Sequence, residues 1–503
     1  MRVGEDWMKK EHSVTFNFIM NFILTTSSVI FPLITFPYIS RVLLPVGTGK
    51  VAAAAGVVNY FSMVAMLGIP TYGIRACAQV RDDKEKLSRT VQEILIINGV
   101  MMVLVYVVFG FSLYAVPKFA EDRELLLVIG TSIFLNVIGV TWLYSALEEY
   151  AYITAVSLLF KVIAVVLMFG LVHEKEDYVI YGGLTVISNI GSYFFNFIRM
   201  RRYIIIKPLG NYNLRKHVKP IAVFCAMTVA TSIYTNLDVV MLKFISGDEQ
   251  SGYYSAAVNI KVAMVGLVIS LGTVLLPRLS YYIEMGKEKE FRRMTTHALS
   301  FVLMIALPMV LYILLFVEEG IGLLSGPAYA LAVTPTRLII PTILFMGLSN
   351  ILGMQILVPT DREKRVLQAV IVGAVVDFLL NLLLIPSLGA SGASIGTLVA
   401  EFAVVLVEAA ILREFLKEIW QMKSVVPYLL ALVPAAVSSM ALHETVLAGA
   451  GNFLILAVTG VVFFGAYGLV LLLLKETITV EFVLPYLKKM ATLARGGTKN
   501  AGK

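Results

Sequence analysis

Long apolar blocks recur along most of this chain, and short segments between them hold most of the charge. Of the 503 residues, 58% are hydrophobic and 15% are charged, whereas soluble chains carry about 25% charged residues. Backbone polar groups in lipid must be hydrogen-bonded within the chain, so apolar blocks of about 20 residues predict spanning helices. A transmembrane barrel needs shorter segments of alternating polarity, which this sequence lacks. The sequence therefore predicts an all-α integral membrane protein.

Fourteen apolar blocks are predicted to be transmembrane helices, joined by short connections. The longest polar connection, 199–219, separates six helices from eight. We expect an N-terminal six-helix lobe (1–198), a cytoplasmic basic linker (199–219), a second six-helix lobe (220–416), and two accessory helices with a cytoplasmic tail (417–503). The predicted helices cover 15–41, 51–74, 92–116, 125–147, 150–172, 178–199, 220–245, 252–277, 294–317, 336–358, 366–386, 391–412, 424–446 and 451–474.

The positions of the basic residues predict the orientation of these helices. If the N-terminus is cytoplasmic, the inside segments hold 32 of the 41 Lys and Arg residues and the outside segments hold 7. Lys161 and Lys261, the remaining two, fall within predicted helices. By the positive-inside rule, both termini are expected in the cytoplasm. Because the basic residues are spread over many short loops, the net charge of +8 does not indicate a nucleic-acid partner.

Two short strings suggest an internal repeat. Gly49–Ala54 (GKVAAA) opens the second predicted helix and Gly252–Ala257 (GYYSAA) opens the eighth. Six helices are an even number, so two six-helix lobes would share one orientation and form a parallel pseudo-repeat. A chance similarity between short Gly/Ala strings is the alternative.

The motifs of several enzyme classes are absent. The sequence has no HExxH, no Walker loop and no GxSxG elbow, and its two cysteines, Cys77 and Cys225, imply neither a disulfide framework nor a metal site. A membrane-embedded glycan polymerase or ligase would need a large outer loop with catalytic residues, and the longest outer loop, around 317–337, lacks such a set. We therefore expect a monomeric transporter without catalytic residues or an organic cofactor, driven by an ion gradient, the membrane potential or a substrate gradient.

Several polar side chains fall at membrane depth, where they are costly and usually face a cavity or a partner. With a rise of about 1.5 Å per residue, Asp238, Asp377, Asn381 and Thr397 lie roughly 8–14 Å below the outer surface. Asp377 and Asn381 are four apart and share a helix face. With Glu401, these residues form a candidate coupling site for Na⁺ or another small cation, or for a proton. Interhelical hydrogen bonding is the alternative reading.

Two lysines lie near the middle of predicted helices. Lys161 and Lys261 would give a cavity fixed positive charge and attract an anionic group. The alternatives are a lysine paired with Glu401 or Glu408, or a lysine that extends along a water-filled crevice.

Residues near the helix ends of the first lobe complete the candidate set. Arg41 and Arg75 are candidates to line the two mouths of such a cavity, although both positions also suit simple boundary anchors. Pro32 and Pro37 interrupt an apolar run, as happens in the moving or binding helices of transporters; a static packing kink is the alternative.

Several strings resemble one family in order and spacing over nearly the whole chain. The segment Leu67–Ser88 (LGIPTYGIRACAQVRDDKEKLS) resembles the second-to-third helix junction of the Wzx-type polysaccharide flippases, which belong to the multidrug/oligosaccharidyl-lipid/polysaccharide exporter superfamily. The strings 237–242 (LDVVML), 252–257 followed by Lys261, and 381–386 (NLLLIP) are similar to that family as well.

The resemblance implies a fold and a function. It implies two six-helix lobes around a V-shaped cavity, followed by two further helices. It also implies movement of undecaprenyl-diphosphate-linked oligosaccharide, by alternating access, from the cytoplasmic to the outer leaflet of the bacterial cytoplasmic membrane. A glycan polymerase is then an expected neighbour, and Lys161, Lys261, Arg41 and Arg75 are expected to face the diphosphate.

Related functions within the superfamily remain open. The lipid II flippases carry a sodium site that corresponds to Asp238, Asp377, Asn381 and Thr397. Their pair on helix eleven resembles an amide followed by a carboxylate, whereas this chain has Asp377 before Asn381. Helix eight offers Lys261 instead of their arginine cluster. The polysaccharide branch is therefore favoured, with a lipid II flippase and a cation-coupled drug exporter as alternatives.

Overall fold

The computed structural model describes residues 14–419, 425–476 and 478–480. Its regular secondary structure in these ranges is helical throughout. By length and hydropathy, ten helices in these ranges can cross a membrane, or eleven if a bent pair, Pro327–Ile339 with Thr342–Leu357, is one span. The prediction of an all-α, multi-pass membrane protein is confirmed. The charged N-terminal segment and most of the predicted C-terminal tail lie outside the described residues.

The first half of the chain forms ten helices, each ended by a break in the backbone or a short loop. They are α1 (Val14–Met66), α2 (Ile69–Ala78), α3 (Lys84–Ala115), α4 (Pro117–Glu121), α5 (Arg123–Ile138), α6 (Thr141–Ala146), α7 (Tyr150–Leu171), α8 (Tyr178–Ile190), α9 (Tyr193–Met200) and α10 (Arg215–Ile245).

The second half contains ten further helices, and one of them is continued by a π-helical segment. They are α11 (Asp248–Glu284), α12 (Glu288–Leu315), α13 (Val317–Leu324), α14 (Val333–Ile339), α15 (Thr342–Ser349), which continues as the π-helix Asn350–Leu357, α16 (Glu363–Leu388), α17 (Ala390–Ile411), α18 (Arg413–Ile419), α19 (Val426–Thr445) and α20 (Asn452–Leu473).

Each of the fourteen predicted segments falls on helix, but the count of fourteen spans stays a prediction. The first two predicted helices both fall within one long candidate span, Ile19–Ala78. The predicted segments 178–199 and 220–245 do not appear among the candidate spans. α10 also begins at Arg215, inside the predicted linker.

The path of α1 and α2 is broken at two positions, the first of which lies in the predicted connection 42–50. Pro32 and Pro37 stay within helical backbone, and the non-helical residue of α1 is Leu44, with φ 59° and ψ 177°. Leu44 precedes Pro45, and a proline disfavours the α conformation of the residue before it. A second break, at Gly68 with φ 72°, separates α1 from α2. Glycine adopts this left-handed conformation without a steric penalty.

Contacts divide the chain into two compact units. The first comprises 1–259 with 377–396, and the second comprises 260–376 with 397–503. These units are defined by contacts and have other boundaries than the predicted lobes, 1–198 and 220–416. The lobes stay a prediction.

Each unit has apolar packing of its own. In the first unit, Trp142 of α6 is buried directly against Gly73 of α2, where an added Cβ would lie 2.7 Å from the indole ring. In the second unit, Tyr428 of α19 and Phe463 of α20 are fully buried in one cluster. Because lipid tails are as apolar as leucine, such close packing and interhelical hydrogen bonds hold membrane helices together more than the hydrophobic effect does.

Candidate functional site

Lys161 of α7 lies in a polar crevice of the first unit. Its side chain is only 3% exposed, and its Nζ donates hydrogen bonds to Ser27 Oγ at 2.6 Å and to Ser28 Oγ at 2.9 Å, both on α1. In the described part of the chain it makes no ion pair, so the predicted alternative of a partner carboxylate on Glu401 or Glu408 is not seen. The crevice, about 240 Å³ in volume, is lined largely by hydroxyl and amide groups, with Ser28, Ser157, Lys161, Asn189, Ser192, Tyr193 and Asn196 among its residues.

This crevice is suited to hold an anionic group. A lysine ammonium has three N–H donors, and the two serines accept two of them. A buried charge needs a compensating partner, yet hydroxyl groups carry no formal charge. The smaller cavity next to it shares Ser28, Lys161 and Asn189, and Pro32 also lines it. A binding role of helix one stays a prediction.

Three of the predicted coupling residues meet in the first unit, where they form what we call the acidic cluster (Asp238, Asp377 and Asn381). Asn381 Nδ2 donates to Asp238 Oδ1 at 2.6 Å, and the Tyr254 hydroxyl donates to Asp238 Oδ2. All three residues are at most 6% exposed. Asp238 and Asn381 are therefore in direct contact, while the coupling role of the set stays a prediction.

Oxygen atoms of the acidic cluster pack closely against Gly396. Asn381 Oδ1 is buried without a hydrogen-bond partner among the described residues. A Cβ added to Gly396 would lie 2.4 Å from that oxygen and 3.3 Å from Asp377 Oδ1. Tyr60 of α1 lies within electrostatic range of both aspartates. Glycine at position 396 lets these amide and carboxylate oxygens lie close together, and such oxygens are ligands that hard cations prefer.

The other predicted site residues lie elsewhere. Lys261 is half-buried in the second unit and makes no hydrogen bond or ion pair in the ranges that the structure describes. Thr397 and Glu401 are buried in the same unit, 7% and 4% exposed. Arg41 is exposed on α1, with its guanidinium donating to the Pro37 carbonyl oxygen at 2.5 Å, and Arg75 is exposed on α2.

Sequence reasoning missed a buried ion cluster in the first unit, which we call the Lys–Asp cluster (Lys50, Asp122, Lys243 and Asp248). Asp122, with 2% of its side chain exposed, lies 3.2 Å from Lys50 Nζ and also binds Lys243. Lys243 in turn contacts Asp248 at 2.5 Å. The sequence placed these lysines in outer loops, and nothing in their spacing signals that they share one carboxylate.

The two strings of the suspected repeat touch each other beside this cluster. An added Cβ on Gly49 would lie 1.8 Å from the carbonyl oxygen of Asp248, and one on Gly252 would lie 2.0 Å from that of Pro45. Asp248 lies four residues before Gly252, and Pro45 lies four residues before Gly49. Each glycine thus packs against the equivalent carbonyl of the other string, and the contact is symmetric. We call it the glycine contact. The internal repeat itself stays a prediction.

A second buried cluster joins the predicted linker to the helices. Glu93 of α3 accepts hydrogen bonds from the Asn213 backbone N–H at 2.7 Å and from Lys216 at 2.6 Å, and it lies 2.8 Å from His217 Nε2. The other ring nitrogen of His217 lies 2.6 Å from the Tyr72 hydroxyl. This His217 cluster fixes the start of α10 against α2 and α3.

Acid should weaken the His217 cluster. His217 precedes the predicted span 220–245, and burial lowers its pKa below its ordinary value despite the hydrogen bond with Glu93. The neutral ring is thus favoured in the folded protein. Its contribution to stability is complete above about pH 6.5, the unfolded value, and is lost as the pH falls from there through the folded pKa. We expect the free energy of unfolding to fall over this range, and less so in His217→Gln. Equal pH dependence in both proteins would contradict this expectation.

Comparisons with known proteins agree with these observations. The model of the polysaccharide biosynthesis protein family matches residues 14–283, more than half of the chain, and the MatE family model matches 224–383. The chain is 24% identical over 377 residues to a protein of Escherichia coli (strain K12) and 25% identical over 406 residues to one of Shigella dysenteriae, both named for O-antigen transport. These alignments cover 75% and 78% of this chain and 91% and 98% of the relatives.

Solved structures share the fold. The lipid II flippase MurJ in an inward closed conformation aligns with a TM-score of 0.70, covering 93% of this chain and all of that one at 15% identity. An inward-facing multidrug resistance transporter of the MATE family aligns with a TM-score of 0.56 over 80% of this chain and 99% of that one, at 13% identity. Family and fold are those of transporters, so the prediction that the chain is not an enzyme is confirmed. The chain belongs to the polysaccharide biosynthesis protein family, and its resemblance to the Wzx-type flippases of the multidrug/oligosaccharidyl-lipid/polysaccharide exporter superfamily is confirmed.

Proposed function

We propose that this protein moves a polyprenyl-diphosphate-linked oligosaccharide from the cytoplasmic to the outer leaflet of a bacterial cytoplasmic membrane. The names of its relatives in Escherichia coli and Shigella dysenteriae support an oligosaccharide substrate. The fold shared with a lipid II flippase supports a substrate that is linked to a lipid. In this proposal a glycan polymerase receives the product, the protein acts as a monomer, and both termini lie in the cytoplasm.

The buried ammonium of Lys161, held by two serines and no carboxylate among the described residues, carries this proposal. A diphosphate supplies the negative charge that the crevice lacks. The crevice volume of about 240 Å³ is smaller than most ligand pockets, which measure roughly 300–1,000 Å³. It therefore suits a phosphate group rather than a whole oligosaccharide. Lys261, Arg41 and Arg75 are proposed as further contacts of the anionic group along its path.

Coupling to a cation gradient is proposed at the acidic cluster. The orphan Asn381 oxygen and the carboxylate oxygen of Asp377 near it suit Na⁺ or H⁺. When bound there, the cation would neutralise carboxylate charge and make the buried cluster less costly. Asp238, Asp377 and Asn381 would hold it within the first unit. Thr397 and Glu401 are kept as proposed members of the set.

Closure of one side of the path is proposed at the glycine contact and the Lys–Asp cluster. The positive-inside rule assigns this end of α10 and α11 to the outer surface. A substrate that leaves on that side requires these contacts to separate, as alternating access between the lobes of a V-shaped cavity demands. A lipid II flippase of the same fold and a cation-coupled drug exporter remain the alternatives.

The proposal is tested by deleting the gene and quantifying lipid-linked oligosaccharide on each membrane leaflet. Cells without the protein should accumulate the intermediate facing the cytoplasm. Lys161→Met keeps the length of the side chain but removes its charge, and a charged hydrogen bond is worth about 1.5–3 kcal/mol. We therefore expect flipping to fall by about 10- to 100-fold.

Lys118→Met, in a predicted outer loop, is the matched control and should restore wild-type flipping. Unchanged lipid intermediates in the deletion, combined with a rise in drug sensitivity, would overturn the proposal in favour of the drug exporter. Normal flipping by Lys161→Met would remove this lysine from the site.

A further inference from the structure

Glu408 of α17 is a buried carboxyl group that neither the acidic cluster nor the lysine crevice uses. Only 1% of the residue is exposed, and its Oε2 has no hydrogen-bond partner within the described part of the chain. It forms no ion pair with any residue that the structure describes. Its polar contact is a hydrogen bond with the Ser349 hydroxyl, at the end of α15. The second unit contains all of these residues.

The surface that faces Glu408 is an irregular helix. Asn350–Leu357 is π-helical, and such segments occur frequently at functional sites. Gly353 within it makes room for the carboxyl group, since an added Cβ would lie 2.6 Å from Glu408 Oε1. Asn350 Oδ1 nearby in sequence is also buried without a partner among the described residues.

The charges around Glu408 disfavour its ionised form. Glu401, seven residues earlier on the same helix, is the charged side chain that acts on it in the described ranges, and its effect is repulsive. The facing residues Ser349 and Gly353 carry no charge. An ionised carboxylate buried without a cation costs several kcal/mol. The surroundings therefore favour the neutral, protonated carboxyl group.

A cavity lies beyond Glu408 toward the C-terminal end of its helix. A cavity of about 780 Å³ in the second unit is lined by Ile356, Thr360 and the segment 410–415. Ile411 is three residues beyond Glu408, which is about 4.5 Å along a helix axis. Ile356 is likewise three residues beyond Gly353. About one helical turn of backbone thus separates the position of Glu408 from the residues that line the cavity.

We propose that Glu408 is a proton-binding site that exchanges its proton with solvent through this cavity. Water in the cavity delivers a proton to the carboxylate oxygen and takes it back, so that no other reactant is needed. A role for this proton in driving transport rests on the proposed flippase function, whereas proton binding itself does not. The site is separate from the acidic cluster, because it uses other residues in the other unit.

Infrared spectroscopy of the full-length protein in lipid vesicles tests the proposal. A protonated carboxyl group has a carbonyl band that the ionised form lacks. We expect such a band at neutral pH, its loss in Glu408→Gln, and its shift after transfer to heavy water. Glu414→Gln is the matched control: Glu414 lines the same cavity but is exposed and paired with Lys417 at 3.0 Å, so the band should not change.

Glu401→Gln removes a repulsive negative charge, so the Glu408 carboxyl group should lose its proton more readily. Its carbonyl band should therefore disappear at a lower pH than in the wild-type protein. This variant keeps the test decisive if Glu408→Gln fails to fold. The absence of a Glu408-dependent band at neutral pH would overturn proton binding, and a band that does not shift in heavy water would overturn exchange. If both hold but flipping by Glu408→Gln keeps the wild-type pH dependence, proton binding stands and its link to transport is wrong.

Discussion

Alanine in place of Gly49 or Gly252 is expected to lower both the stability of the first unit and the rate of flipping. The added methyl carbon would lie 1.8 Å from the Asp248 carbonyl oxygen in one case and 2.0 Å from that of Pro45 in the other. Both obstacles are backbone atoms, so no side-chain rotation relieves the overlap. Overpacking of this kind costs about 1–3 kcal/mol, which corresponds to about a 5- to 150-fold change in an equilibrium.

The matched controls for the glycine contact are Gly99→Ala and Gly170→Ala. Both glycines lie inside helices with open space where the Cβ would be added. Alanine there improves helix propensity by about 1 kcal/mol, so the sign of the effect should be opposite. Thermal unfolding of the purified variants in detergent makes the comparison. If Gly49→Ala melts like Gly99→Ala, the two strings do not meet as described.

Asp122→Ala is expected to be the most damaging single change in the Lys–Asp cluster. The substitution leaves the buried Lys243 and the quarter-exposed Lys50 with Asp248 as the remaining carboxylate of the cluster. Removing one partner of a buried ion pair costs about 3–5 kcal/mol, because a charge is left without compensation. The free energy of unfolding, from reversible denaturation in mixed micelles, is the quantity to measure.

The exposed pair of Glu414 and Lys417 provides the comparison for Asp122. Its two side chains are 80% and 56% exposed and 3.0 Å apart, and pairs of this kind contribute about 0–1 kcal/mol. Glu414→Ala should therefore hardly change the stability. A loss in Asp122→Ala no larger than that in Glu414→Ala would show that the cluster does not hold the structure together.

The sequence predicts the positions of the helices better than the breaks within them. Hydropathy predicts every apolar helix because burial in lipid leaves the backbone no other way to satisfy its polar groups. The predicted connection 42–50 contains the break at Leu44, but hydropathy does not predict the division at Gly68, which depends on tertiary packing against neighbouring helices. The prolines that do stand out, Pro32 and Pro37, remain in helical backbone.

The candidate site was predictable where depth alone brings residues together. Asp238 and Asn381 were expected at one depth from the helical rise, and they form a hydrogen bond. The partners of Lys161 were not predictable, because Ser27 and Ser28 resemble ordinary packing residues in an apolar helix. Asp122 was likewise missed, because a loop aspartate gives no sign that helix ends far away in sequence will bury it.

The central claim, that the protein moves a lipid-linked oligosaccharide between leaflets, is tested most directly by reconstitution. The purified protein is placed in vesicles that carry polyprenyl-diphosphate-linked oligosaccharide in one leaflet, and an enzyme or lectin added outside reports how much glycan becomes accessible. We predict that accessibility rises with the wild-type protein and much less with Lys161→Met. The flippase function would be contradicted if the glycan were no more accessible than in protein-free vesicles. This outcome counts only if the protein is folded and a cation gradient has been applied in each direction.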